Sequence, residues 1–278
     1  GSSMPLRWTF HGVLGFRRFC SVTGSKWHSD GWQKQIHGRP LVYFGERHEE
    51  PAILEAQVAM LRYWIKTIQK PTALVLEIFT KDQQFILDRW RREEPGVLQQ
   101  QYLDSGGDFE LSHYMPLLDE AFEGGMSLVA GFPKRDAARR ILQEPFGDEV
   151  KEMTKVHALL GADVEDYFRI FAALISAAPV TQYECGELPQ RGRKIFPAQC
   201  WKDLECAKIV ASLLQTHCVM VVAGFGHTDF GLGIPCRVRA LSTHSTQEVI
   251  VTARARGEAF SSTFRKHNLS DVLITYEP

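Results

Sequence analysis

With 32 Lys and Arg against 33 Asp and Glu in 278 residues, the chain has a formal charge of -1, which argues against a nucleic-acid surface, where basic residues cluster in excess. A composition of 44% hydrophobic and 23% charged residues is that of a soluble globular protein, and the longest apolar run, residues 218–226, falls far short of the roughly 20 residues of a membrane span. Cys20, Cys185, Cys200, Cys206, Cys218 and Cys236 form no C-x-x-C pair, and read as reduced, mostly buried thiols of an intracellular compartment rather than a disulfide frame or zinc site.

Residues 4–29 carry Arg7, Arg17, Arg18 and Lys26 without an acid, interleaved with Trp8, Phe10, Leu14, Phe16 and Phe19. That composition fits a basic N-terminal arm or an organelle transit peptide, of mitochondrial or another type. A single domain is predicted over residues 30–278. Short apolar runs at 41–44, 73–79, 127–131 and 218–223 predict strands, separated by longer stretches of helical spacing. The class is therefore α/β, a mostly parallel sheet covered by helices. Pro51 can open a helix that continues through Leu54, Val58, Leu61, Ile65 and Ile68, and a second helix over 113–123 stops at Gly124 and Gly125. No strand is evident over about 136–198, so this stretch reads as a helical insertion subdomain, with Phe168, Phe171, Leu174 and Ile175 on one helix face. A helix over 199–215 returns to the sheet, and residues 236–241, 248–253 and 272–275 read as shorter strands.

Ligands of open parallel sheets sit beyond the carboxyl ends of the strands, and all four core strands end in polar residues. The first delivers Glu46 and His48, the second holds Glu77 in an apolar run, the third turns into Lys134, Arg135 and Asp136, and the fourth leads to His227. Singly, a strand-end histidine is most often structural. Together, Glu46, His48, Glu77 and His227 form a set able to bind a divalent metal, or to run metal-free acid/base chemistry with Arg135 beside them. Glu49 and Glu50 read as helix-start residues, Gln57 as facing either crevice or solvent, and Trp201 and Phe168 as core. The glycines of "GFGHTDFGLG" make no nucleotide fingerprint, because Pro235 is read as blocking a following helix.

The blocks "LVYFGERHEEPAILEAQVAML", "LVLEIFTKDQQFIL", "GFPKRD", "AQCWKDLECAKI" and "VAGFGHTDFGLGIP" occur in order over about residues 40–241. As a set they resemble the ChaN-like haem-binding domain, in the wider superfamily of Tiki proteins and erythromycin esterases. The resemblance implies an α/β core with a helical subdomain and an associated haem pocket. It maps the superfamily's polar centre onto Glu46, His48, Glu77 and His227, with Arg135 as the matching basic residue. Such a centre supports hydrolysis in the Tiki and esterase branches, whereas ChaN-like members are implied to bind haem. Three departures stand out: the tryptophan of "AQCWKDLECA" is shifted and Cys206 stands where methionine is common, Cys20 lacks a lipoprotein signal, and the insertion carries no motif block. No haem ligand can therefore be carried over, although Tyr167, Tyr183 and His157 are chemically able to ligate ferric haem. Phe168 and Phe171 could line an apolar slot, and Arg191, Arg193 and Lys194 could meet propionates. The expected function is haem or tetrapyrrole binding in haem or iron handling, with a homodimer among the expected assemblies. A hydrolase using the Glu46, His48, Glu77 and His227 centre, with or without a divalent metal, is the alternative, and a non-catalytic interaction subunit is the third reading.

Overall fold

Helices cover both faces of the central sheet, so neither side of a core strand meets water and its sequence needs no polar alternation. The computed structural model describes residues 8–12, 30–144, 147–242 and 247–276. In chain order these form β1 (Trp8–Gly12), α1 (Asp30–Ile36), β2 (Leu41–Glu46), α2 (Pro51–Thr67), β3 (Thr72–Thr80), α3 (Gln84–Asp88), α4 (Pro95–Asp104), α5 (Leu111–Glu123) and β4 (Ser127–Phe132). There follow α6 (Arg135–Gln143), α7 (Asp148–Leu160), α8 (Ala162–Ile175), α9 (Phe196–Leu213), β5 (Cys218–Gly224), α10 (Ile234–Leu241), β6 (Glu248–Ala255), β7 (Thr263–Phe264), β8 (His267–Asn268) and β9 (Val272–Tyr276). Of the transit-like segment, residues 8–12 are β1; the rest of it, Cys20 included, lies outside the described residues.

Among the described residues one sheet has seven strands in the order β1-β9-β6-β2-β5-β3-β4, and β7 pairs with β8 in a separate hairpin. β1 runs antiparallel to β9, and every other neighbour pair of the large sheet is parallel. From β2 the chain crosses β5 to reach β3, and from β5 it crosses β2 to reach β6. The two connections leave in opposite directions, so the carboxyl ends of β2 and β5 flank a topological switch point, where a crevice opens.

Successive strand residues serve opposite faces. Val42, Phe44, Leu74, Leu76, Met220 and Val222 pack into the core under α2 and α5. Their neighbours Leu41, Tyr43, Val75, Val219 and Val221 pack with Ala207 and Val210 of α9 and with Ile234 and Val238 of α10. The helical insertion is observed between β4 and β5. A further core joins Met153 and Val156 of α7 to Phe168 and Phe171 of α8 and to Phe196, Trp201 and Leu204 of α9, and continues into Leu232, Phe264 and Leu273 outside the insertion.

Pro51 opens α2, and the Glu50 side chain caps it by accepting from the Ala52 N–H. Residues 236–241 correct the strand reading, for they are helical. Pro235 does not block this helix: it occupies the first turn, where an N–H would have no partner, and Gly233 supplies the cap with φ of 66°. Cβ at Gly233 would also sit 2.4 Å from the His227 carbonyl oxygen, so the turn leaves no room for a side chain there.

Candidate functional site

Gly45 brings the end of β2 close against the turn that follows β5: a Cβ there would lie 2.5 Å from Thr228 Oγ1 and 3.1 Å from Phe225 Cα. The next residue, Glu46, is 3% exposed and accepts three hydrogen bonds. Its Oε1 lies 2.9 Å from His48 Nδ1 and accepts from Tyr114 OH at 3.0 Å, while Oε2 accepts from Gln57 Nε2. Gln57, from the first turns of α2, thus faces the crevice and is buried.

Glu77 stands at an irregularity of β3, where the register with β4 shifts between Leu76 and Thr80. Released from the ladder, its Oε2 accepts from the Gly224 N–H at 2.5 Å and lies 3.9 Å from His48 Nε2, and its Oε1 lies 3.2 Å from His227 Nε2. His227 closes the short helical turn Phe225–His227. Its Nδ1 lies 2.5 Å from Asp203 Oδ1, and the other Asp203 oxygen accepts from Tyr167 OH at 2.6 Å. Gln199 Nε2 lies 3.0 Å from the same ring nitrogen. Of these two neighbours only the Asp203 carboxylate can accept, since the Gln199 amide nitrogen is itself a donor, so His227 Nδ1–H donates to Asp203. The result is a row of alternating acids and imidazoles: Glu46, His48, Glu77, His227, Asp203.

Each imidazole is held above its ordinary pKa. Burial opposes the charge on His227, but the fields of Glu77 and Asp203 and hydrogen bonds to both raise it to about 10. For His48 burial likewise opposes, and the Glu46 hydrogen bond with the Glu77 charge outweighs it. Burial would push Glu77 up, yet the charge and hydrogen bond of His227, then His48 and the Gly224 N–H, bring it down to about 2. At neutral pH His227 is therefore cationic and Glu77 anionic, an ion pair at the centre of the row.

The family model described as haem-binding uptake, Tiki superfamily, ChaN matches residues 32–238. The chain belongs to that family. The solved structure "Cofacial heme binding to ChaN of Campylobacter jejuni" superposes with a TM-score of 0.69 at 15% identity, over 98% of this chain and 98% of that one. It shares the fold. The type III effector HopBA1 aligns with a TM-score of 0.48 at 12% identity, over 86% of this chain and 88% of that one. No curated protein sequence matches the chain.

On this ChaN-family scaffold the structure joins Glu46, His48, Glu77 and His227, and it leaves Arg135 apart. Arg135 opens α6, half exposed, with its guanidinium on Asp108. Tyr167 is 2% exposed, and its hydroxyl is committed to Asp203 beneath the row. His157, on α7, lies 3.4 Å from Arg237 Nη2; burial and then the Arg237 charge lower its pKa to about 4, so it is neutral. Tyr183 sits in the 180–183 turn, where its carbonyl accepts from Arg169. Arg191, Arg193 and Lys194 are exposed and border shallow clefts on the outside of the insertion.

The sequence did not single out Asp203 or Tyr114 as site residues. Asp203 carried a signal, because Cys200, Asp203, Ala207 and Val210 follow helical spacing and so place one acid on the buried face of α9. Tyr114 carried none. As for metals, the two histidines present Nε2 toward Glu77 with Nδ1 held by a carboxylate, the backing that metal-binding imidazoles usually have. Among the described residues, ligand atoms of Asp163, Asp166 and His267 lie within 4.8 Å of one another, but Lys266 and Arg265 already neutralise the two acids.

Two cavities open here. A polar cleft of about 280 Å³ is lined by Glu46, His48, Glu77, Gln199 and His227. Beside it lies a cavity of about 480 Å³ walled by Ile170, Ala173, Val180, Phe230, Phe260 and Leu269. The two share Arg47, Leu174, Phe225 and Gly226.

Proposed function

We propose that this ChaN-family chain binds haem or a closely related tetrapyrrole in the 480 Å³ cavity and serves haem or iron handling. The observation that carries the reading is this apolar cavity at the switch point, opening beside the polar row, in a chain of a haem-binding family. Its volume is in the range of small-molecule sites, and its walls are aliphatic and aromatic with a few polar groups, as a macrocycle with carboxylate arms requires. No His, Tyr, Cys or Met is among the described residues lining it. Two imidazoles, His48 and His227, line the adjoining cleft, and His48, with a side chain 30% exposed, is the more open of the two. A ligand iron would find a nitrogen there that Glu46 already orients. Bound haem would supply its own iron chemistry; the protein's part is to hold the ring, orient an imidazole and keep a buried ion pair beside it. The basic, acid-free segment 4–29 supports an organellar, mitochondrial-type address for this role.

Titration of the purified chain with hemin tests the reading. A saturable, shifted Soret band is expected, and Leu174→Glu, which puts a charge on the partly exposed wall shared by both cavities, is expected to weaken it at least tenfold. Hemin absorbance that stays that of the free ligand at all protein concentrations would refute it.

One observation favours a second reading, hydrolysis at the row itself: two carboxylate-backed imidazoles converge on Glu77 within an accessible cleft. Metal analysis of the purified protein with hydrolase assays on peptide and ester substrates tests it, and absence of turnover with every metal added would dismiss it.

A further inference from the structure

β2 ends at Glu46, and the chain turns at once through His48 and Glu49. Glu46 and His48 face the polar row; Arg47, between them, lines the apolar cavity as well as the cleft. Its backbone is pinned by two hydrogen-bonded neighbours, while its side chain is 52% exposed and makes an ion pair at 3.3 Å with Glu258. The other arginine of the cavity is differently placed. Arg254 is buried over the Phe225 ring, pairs with Asp229, and donates to Thr252 Oγ1 and the Ala253 carbonyl, so both of its terminal nitrogens are already engaged by the wall.

We propose that Arg47 is the anion anchor of this cavity, exchanging Glu258 for a carboxylate of the ligand. The inference rests on the tetrapyrrole reading and names the residue that recognises the ligand's charged arms. The exchange leaves no orphan. Glu258 keeps the Ala255 N–H, which donates to its Oε2 at 3.0 Å, and it remains 3.9 Å from Arg254 Nε. An exposed ion pair contributes little to stability, so little is lost when it opens. A guanidinium meeting a carboxylate at the edge of an apolar slot gains two parallel hydrogen bonds in a drier setting.

The test compares hemin with its dimethyl ester, which has the same ring and no carboxylate, by Soret titration of the full chain. The variants are Arg47→Gln, Arg47→Lys and, as a control for lost surface charge, Arg139→Gln, whose exposed side chain pairs only with Asp136 among the contacts observed. The unaltered chain is expected to bind hemin about tenfold to a hundredfold more tightly than the ester. Arg47→Gln should weaken hemin by that factor and leave the ester unchanged, Arg47→Lys should retain part of the preference, and the control should match the parent. Hemin binding by the parent that Arg47→Gln leaves intact, or equal weakening of both ligands, overturns the anchor while the tetrapyrrole reading stands. A parent chain that shifts neither Soret band overturns the tetrapyrrole reading itself, and the anchor with it.

Discussion

Asp203 grips His227 through a contact of 2.5 Å between Oδ1 and Nδ1, and the acid is wholly buried. Because Tyr167 donates to its second oxygen, one carboxylate links α8, α9 and the turn after β5. Asp203→Ala leaves a buried imidazolium short of its nearest counter-charge on that side and is expected to cost about 3–5 kcal/mol in urea unfolding. Asp203→Asn keeps an acceptor oxygen and should cost clearly less. Equal losses for the two substitutions would show that the charge is unimportant.

The same row predicts how stability follows pH. Glu77 is depressed from 4.5 to about 2, so its contribution is present above 4.5 and is lost as pH falls toward 2. His227 is raised from 6.5 to about 10, so its contribution is full below 6.5 and is lost as pH rises through 10. Thermal unfolding should therefore show highest stability between pH 4.5 and 6.5, with Tm falling on both sides by about 2–4 °C per kcal/mol lost. Glu77→Gln should flatten the acid limb. A Tm unchanged from pH 5 to 9 would contradict the pairing.

Tyr167→Phe separates structural from ligand roles. Its hydroxyl serves Asp203 and lines neither cavity, so the substitution should cost about 1–3 kcal/mol in stability and leave a hemin Soret band in place. His48→Ala should instead shift or abolish that band. The reverse pattern in difference spectra would return the ligand role to Tyr167.

Gly45→Ala tests the close approach of β2 to the β5 turn. The added methyl would meet Thr228 Oγ1 at 2.5 Å and Phe225 Cα at 3.1 Å, and backbone has little freedom to yield. We expect a loss of about 1–3 kcal/mol, with weakened hemin binding because Phe225 walls both cavities. Full stability in urea titration would mean that the turn relaxes.

Much of this was legible in the sequence where physics left one answer. Unbroken apolar runs such as that of β5 are tolerated only in doubly covered strands, and Glu77 within one of them announced a polar partner. Residues 236–241 misled because a proline that ends one helix can begin another, and the deciding fact, the left-handed Gly233, is a backbone angle that composition does not display. Arg135 was less legible for a related reason: proximity to a strand end does not fix which way a long side chain reaches, and here its guanidinium pairs with Asp108. Four members of the row, Glu46, His48, Glu77 and His227, could be read because each lies in or just beyond a core strand, whereas Asp203 and the supporting Tyr114 reach it from helices distant in sequence.

The antiparallel pairing of β1 with β9 places a short amino-terminal strand along one margin of the sheet. Without β1, the outer backbone amides and carbonyls of β9 would lose their partners. A bare sheet margin of this kind readily accepts a strand from another chain. Five residues thus shield what would otherwise be an adhesive flank at the far side of the sheet from β4.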